Sequence, residues 1–121
     1  MSTEIRGHKI QLNLADALQQ LGAAGTRSVA LFEHGSLQVK IYVPRGPAGE
    51  MIDPQQPHTR DEIYVVVRGS GVFFNGETRQ AFQTGDLFFA PAGSAHRFEN
   101  FTDDFAVWVM FYGPEGGEPL A

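Results

Sequence analysis

Hydrophobic positions along this chain keep a helical period only once, near the start, and a strand-like period almost everywhere after it. Leu14, Leu18 and Leu21 recur at intervals of four and three, which places them on one helix face; Asn13 is set to cap the first turn and Gly22 to end the last. A single short helix over 14–21 is therefore predicted. Ser28 to Glu33 reads as a short strand, followed by a turn at His34-Gly35-Ser36. Leu37, Val39, Ile41 and Val43 then alternate with Gln38, Lys40 and Tyr42, the period of a strand with one buried face. Residues 44–57 hold four prolines and two glycines and read as a long loop. Further strands are expected at 62–67, 72–75, 78–82, 87–90 and 96–101, punctuated by Gly-, Pro- and Asn-rich turns, with Asn75-Gly76 the strongest hairpin signal. Phe105 to Tyr112 is apolar on both phases, as in a strand covered on both faces. Gly113-Pro114-Glu115-Gly116-Gly117 opens a tail, 113–121, that is expected to be flexible.

About eight short strands with turns between them predict an all-β antiparallel sandwich or barrel, with a core over about 26–112 and no internal repeat. A length of 121 residues suits one domain, and 42% hydrophobic residues with 10 Phe suffice for its core. The net charge of −5 and the lack of any Lys/Arg cluster argue against nucleic acid or an anionic membrane as partner. No cysteine is present, so disulfides and thiolate metal sites are excluded and any metal must sit on nitrogen and oxygen. The first residues lack the pattern of a signal peptide, and the longest apolar run, Phe105–Tyr112, is too short to span a bilayer, so a cytoplasmic protein is expected.

Candidate chemistry centres on histidine. His58 and Glu62 are four apart, and in a continuous strand both face the same way as Gln56, Tyr64 and Val66. If that face is the interior, a buried imidazole and carboxylate must coordinate or pair; if not, they are an ordinary surface pair. A second segment bears on the choice. Gly85, Pro91, Gly93, His96 and Asn100 fill every fixed position of a Gly-x5-Pro-x-Gly-x2-His-x3-Asn pattern, and this resembles the second signature motif of the cupin superfamily. The first cupin motif is matched by His58, Glu62 and Gly69, with Gln56 where its first His falls and Glu50, next to Gly49, where its opening glycine falls. The resemblance covers about residues 37–112.

It implies a jelly-roll barrel, commonly dimeric, holding one metal inside, usually on three His and one Glu. Carried onto this chain, it makes His58, Glu62 and His96 ligands, with Gln56 a weaker fourth through its amide oxygen. His8 and His34 are read as surface residues, and Arg60 as a solvated loop residue. Two imidazoles and a carboxylate form a facial triad suited to Fe(II), with Mn(II), Ni(II), Cu(II) and Zn(II) as other candidates. Gly85, Pro91 and Gly93 are assigned to turns, and Asn100 to satisfying backbone groups at a strand end. Tyr64 and Phe98, which share strand phase with Glu62 and His96, are expected to line the pocket, and Tyr64 can also donate a proton. The function placed first is a dioxygenase-like oxidoreductase acting on a small molecule. A non-redox metal-dependent isomerase or lyase, and a small-ligand-binding protein without turnover, stay open beside it. A homodimer is the expected assembly.

Overall fold

The computed structural model describes residues 4–5, 8–9, 11–46 and 49–119, the first four by their backbone alone. Ten strands and one helix follow in the order β1 (Glu4–Ile5), β2 (His8–Lys9), α1 (Leu14–Ala24), β3 (Ser28–His34), β4 (Leu37–Tyr42), β5 (Asp61–Arg68), β6 (Gly71–Phe74), β7 (Arg79–Phe82), β8 (Leu87–Ala90), β9 (Arg97–Glu99) and β10 (Ala106–Tyr112). β1 and β2 form a small hairpin-like pair that the sequence pattern does not reveal, since two residues carry no period. The other strands make a five-stranded sheet, β3-β4-β10-β5-β8, and a three-stranded sheet, β7-β6-β9, in which every pairing is antiparallel. Together they are the expected antiparallel jelly-roll barrel. Its interior joins Tyr64, Val66, Ala90, Val107 and Val109 of the larger sheet to Phe73, Phe82 and Phe98 of the smaller, with Phe101 and Phe105 beside them. Aromatic rings fill most of that space: Phe73 stacks on Phe88 at 4.3 Å, and Phe105 meets both Phe82 and Phe98 at 4.9 Å.

The helix runs one turn further than its period implies. Asn13 caps it as predicted, its side chain accepting from the Asp16 amide at 2.9 Å. Gly22 does not end it; the stop comes at Gly25, whose amide donates to the carbonyls of Leu21 and Gly22. Ala17 and Leu21 are buried against Ile41 and Ala106, with Leu14, Leu18, Val29, Val43 and Trp108 around them. α1 thus covers the outer face of β3, β4 and β10. This placement sets the meaning of the alternation in β4: its apolar phase meets the helix, and its polar phase, Lys40 and Tyr42, faces the pocket. At the far side of the same sheet β8 exposes Leu87 and Phe89 (61% and 51%).

The segment after Tyr112 folds back. Arg60 Nε donates to the Gly113 carbonyl at 3.0 Å, the Gly116 amide to the Thr59 carbonyl at 2.7 Å, and the Glu118 amide to Asp61 Oδ2 at 2.8 Å. Arg60, expected to be solvated, is therefore a tie between β5 and residues 113–119, as is Asp61, whose Oδ1 also accepts from the Ala92 amide at 2.9 Å. Asn100 departs from its expected role as well. It is exposed, takes a positive φ of 49°, and its side chain makes no hydrogen bond among the described residues. A left-handed backbone position that asparagine tolerates accounts for it better than backbone capping.

Candidate metal centre

Three segments that are far apart in sequence meet at one end of the barrel interior. β5 directs Glu62 and Tyr64 inward, consistent with their shared phase; both are buried, Glu62 to 1% exposure. His96 arrives from the turn just before β9, its Nδ1 held 3.0 Å from the Ser94 carbonyl. His58 lies three residues before β5, in a stretch anchored by the Gly93 amide, which donates to the His58 carbonyl at 2.7 Å. The backbone of the β8–β9 turn thus ties the two histidine segments together. The ligand atoms of His58, Glu62 and His96 all fall within 4.8 Å of one another: His96 Nε2 is 2.7 Å and His58 Nε2 3.7 Å from the same Glu62 oxygen.

Among the described residues neither Glu62 oxygen has a hydrogen-bond partner. His96 Nε2 approaches one of these oxygens at 2.7 Å, an ion-pair distance. A buried carboxylate is costly unless positive charge faces it, and two imidazole nitrogens aimed at the same small volume are what a divalent cation needs. The donor set of two nitrogens and one oxygen fits such an ion. Burial alone would lower the His96 imidazole, but the adjacent Glu62 carboxylate outweighs it and holds its pKa above the ordinary value. A metal bound there takes the place of that proton. Tyr64 hydroxyl sits 3.0 Å from His96 Nε2, and burial followed by the charge of Glu62 pushes the phenol pKa far above its usual range, so it stays protonated.

Gln56 is not where strand parity puts it. It is exposed, and the amide in the site belongs to Gln55, whose Oε1 accepts from Tyr64 at 2.6 Å and lies 3.2 Å from His58 Nε2. Residues 49–58 have no strand geometry, so a period of two does not run back through them. Gln55 is held by Asp53, a 6%-exposed residue that no sequence signal marks. Asp53 accepts from Gln55 Nε2 at 2.7 Å, from the Phe98 amide at 2.8 Å, and from the Tyr42 hydroxyl in a short hydrogen bond. Burial and this carboxylate drive the Tyr42 phenol pKa well up. The pocket beside His58 and Glu62 has a cavity volume of about 90 Å3 and is lined by Ser28, Lys40, Tyr42, Gln55, Tyr64 and Phe111, among others. Tyr64 lines it as expected. Phe98 does not: it lies one layer deeper, edge-on to Tyr64 at 4.9 Å and within the Phe cluster. His34, at the exposed end of β3, stands apart from the centre, and the side chain of His8 lies outside the described residues.

A jelly-roll barrel with two histidines and a glutamate converging at one end of its interior is an architecture that could hold a divalent ion. The chain belongs to the cupin family, whose Cupin domain model (Cupin_2) matches residues 45–112. It is similar to an uncharacterized protein of Streptomyces coelicolor, 38% identical over 63 residues, 52% of this chain and 60% of that protein. It is also similar to acireductone dioxygenase 1 of Pectobacterium atrosepticum, 40% identical over 67 residues, 51% of this chain and 39% of the enzyme. The chain spans less than two thirds of either relative's length. The crystal structure of a cupin-2 domain protein from Shewanella frigidimarina superposes with a TM-score of 0.58 at 17% identity, over 84% of this chain and 94% of that one, a likeness of fold. Among the described residues no helix is long and apolar enough to cross a membrane.

Proposed function

We propose that this protein is a metal-dependent cupin acting on a small molecule, with His58, Glu62 and His96 holding one divalent transition metal and Fe(II) the favoured ion. The observation that carries this reading is the buried Glu62 carboxylate, without a hydrogen bond at either oxygen and with two imidazoles turned toward it. Three protein ligands leave coordination positions open, and the metal supplies there a place to bind an organic substrate and, as Fe(II), O2. That is the basis for a dioxygenase-like activity, and the partial match to an acireductone dioxygenase supports it. Around the centre, Val109 and Phe111 give the pocket an apolar wall that limits water, while Gln55 fixes the Tyr64 hydroxyl beside it. That hydroxyl also favours a second reading, a non-redox lyase or isomerase, because a phenol that stays protonated 3.0 Å from His96 can hydrogen-bond to negative charge developing on a bound substrate.

Metal analysis of tag-free protein, with thermal unfolding under anaerobic Fe(II), Mn(II), Ni(II) or Zn(II), tests the proposal. Near-stoichiometric metal is expected, with a gain of about 2.7 kcal/mol at a hundredfold excess over Kd. Iron as the resident ion with O2 uptake supports the dioxygenase, and turnover without O2 the lyase or isomerase. No bound metal and no stabilisation by any of the four would sink the metal reading.

A further inference from the structure

Lys40 is a cation in the wall of the pocket with no anion to hold it among the described residues. Among the described residues no carboxylate pairs with it, whereas Arg79 and Arg97 both pair with Glu99. Its place is not accidental to the strand: β4 gives its apolar phase to α1, so Lys40 and Tyr42 are turned inward. The ammonium stands 5.9 Å from the centroid of the Phe111 ring, and the same ring meets the His58 imidazole edge-on at 5.1 Å. One aromatic ring therefore neighbours both the lysine and a residue of the candidate metal centre. Lys40 is the single positively charged side chain among those lining the pocket, and the Ser28 hydroxyl near it is uncommitted among the described residues. Tyr42 is not available as a donor, being bound to Asp53.

Charge balance points the same way. The two carboxylates near the pocket are Glu62 and Asp53, and Asp53 is already satisfied by three donors. With a divalent ion at the centre, metal and lysine together exceed the two carboxylates by one positive charge. A partly desolvated ammonium is favoured where a ligand brings the missing negative charge.

We propose that the pocket takes a small organic monoanion, a carboxylate, whose charge Lys40 reads with help from the Ser28 hydroxyl, while the other end of the molecule reaches His58, Glu62 and His96. A phosphate ester fits less well, since one lysine and one hydroxyl leave most of a dianion's acceptors unmet. The far end of this ligand and the charge balance rest on the metal-dependent reading above; the place of Lys40 in the pocket wall without a carboxylate partner among the described residues does not.

The probes are pyruvate, the neutral hydroxyacetone of similar size, and inorganic phosphate, titrated calorimetrically into wild type, Lys40→Met and Lys40→Arg, each with and without Ni(II). Ni(II) affinity, measured first on the same samples, decides the metal reading on its own. Pyruvate is expected to bind wild type, to weaken about tenfold in Lys40→Met, and to recover in Lys40→Arg. Hydroxyacetone is expected to bind weakly and equally to all three, and Ni(II) affinity to be the same in all three. If Ni(II) does not bind, Lys40-dependent pyruvate binding to the metal-free protein still upholds the anion site. The proposal is overturned if pyruvate fails to bind, if Lys40→Met binds it as well as wild type, or if phosphate binds more tightly through Lys40.

Discussion

At the scale of single residues, adjacent glutamines have different fates. Gln55 bridges Tyr64 to Asp53, and Gln56 faces solvent. Metal content is expected to fall sharply in His58→Ala and in His96→Ala and to stay at the wild-type level in Gln56→Ala. Elemental analysis of the three purified variants checks this, and loss of metal in Gln56→Ala would contradict the placement. Gln55→Ala is expected to lower stability by about 1–3 kcal/mol, the usual net worth of two lost hydrogen bonds, read as a lower urea midpoint, and to free the Tyr64 hydroxyl. His58, Glu62 and His96 were legible because they fill the His, Glu and His positions of the two cupin motifs, at the motifs' spacing from Gly69 and Gly93. Asp53 and Gln55 were not, since their loop has no period to reveal which side chains turn inward.

At the scale of elements, two glycines of the barrel behave differently on paper and should in the test tube. A Cβ on Gly69, at φ 92°, would lie 2.6 Å from Thr102 Oγ1 and 2.7 Å from the Phe105 Cα, whereas one on Gly85, at φ 96°, meets nothing within 4 Å. Both alanine variants carry the cost of a left-handed backbone, about 1–2 kcal/mol. Gly69→Ala adds a clash with main chain worth roughly 1–3 kcal/mol more. Urea unfolding of the pair separates the two contributions, and equal losses would show that the β5–β6 turn yields freely. Gly22, inside α1 with open space about it, gives the opposite sign: Gly22→Ala is expected to stabilise by about 0.5–1 kcal/mol, read as a higher urea midpoint. The helix continued past this residue because Leu21 is buried against β4, packing that local propensity does not record.

At the scale of the whole molecule, Asp61 fastens both the β8–β9 turn and the segment after Tyr112 to β5. Amide donation from Glu118 and then Ala92 holds its carboxyl below the ordinary value. A depressed folded-state pKa means stability that is fully present above the unfolded value, about 3.9, and is lost as pH falls through the lower folded one. Wild type is thus expected to exceed Asp61→Asn in urea midpoint at pH 7, with the gap closing below about pH 4. Should the gap stay constant from pH 7 to pH 3, the two amide bonds do not select the ionised form.

Sequence by itself determined the strand count to within the short β1–β2 pair, the antiparallel turns, the capped helix and the three residues of the candidate centre. Each depends on local geometry: a period, a cap, a turn type or a motif spacing, which neighbouring residues carry without knowledge of distant ones. Tertiary structure alone decided which face of β4 meets the helix and which the pocket, that Gln55 and Asp53 enter the site, that Phe98 lies beneath it, and that Lys40 stands in its wall with no carboxylate partner among the described residues. Those outcomes depend on which surfaces the sheets bury against one another. Burial is a property of the packed molecule, and an amphipathic strand between a helix and a cavity has two faces that its own residues cannot rank.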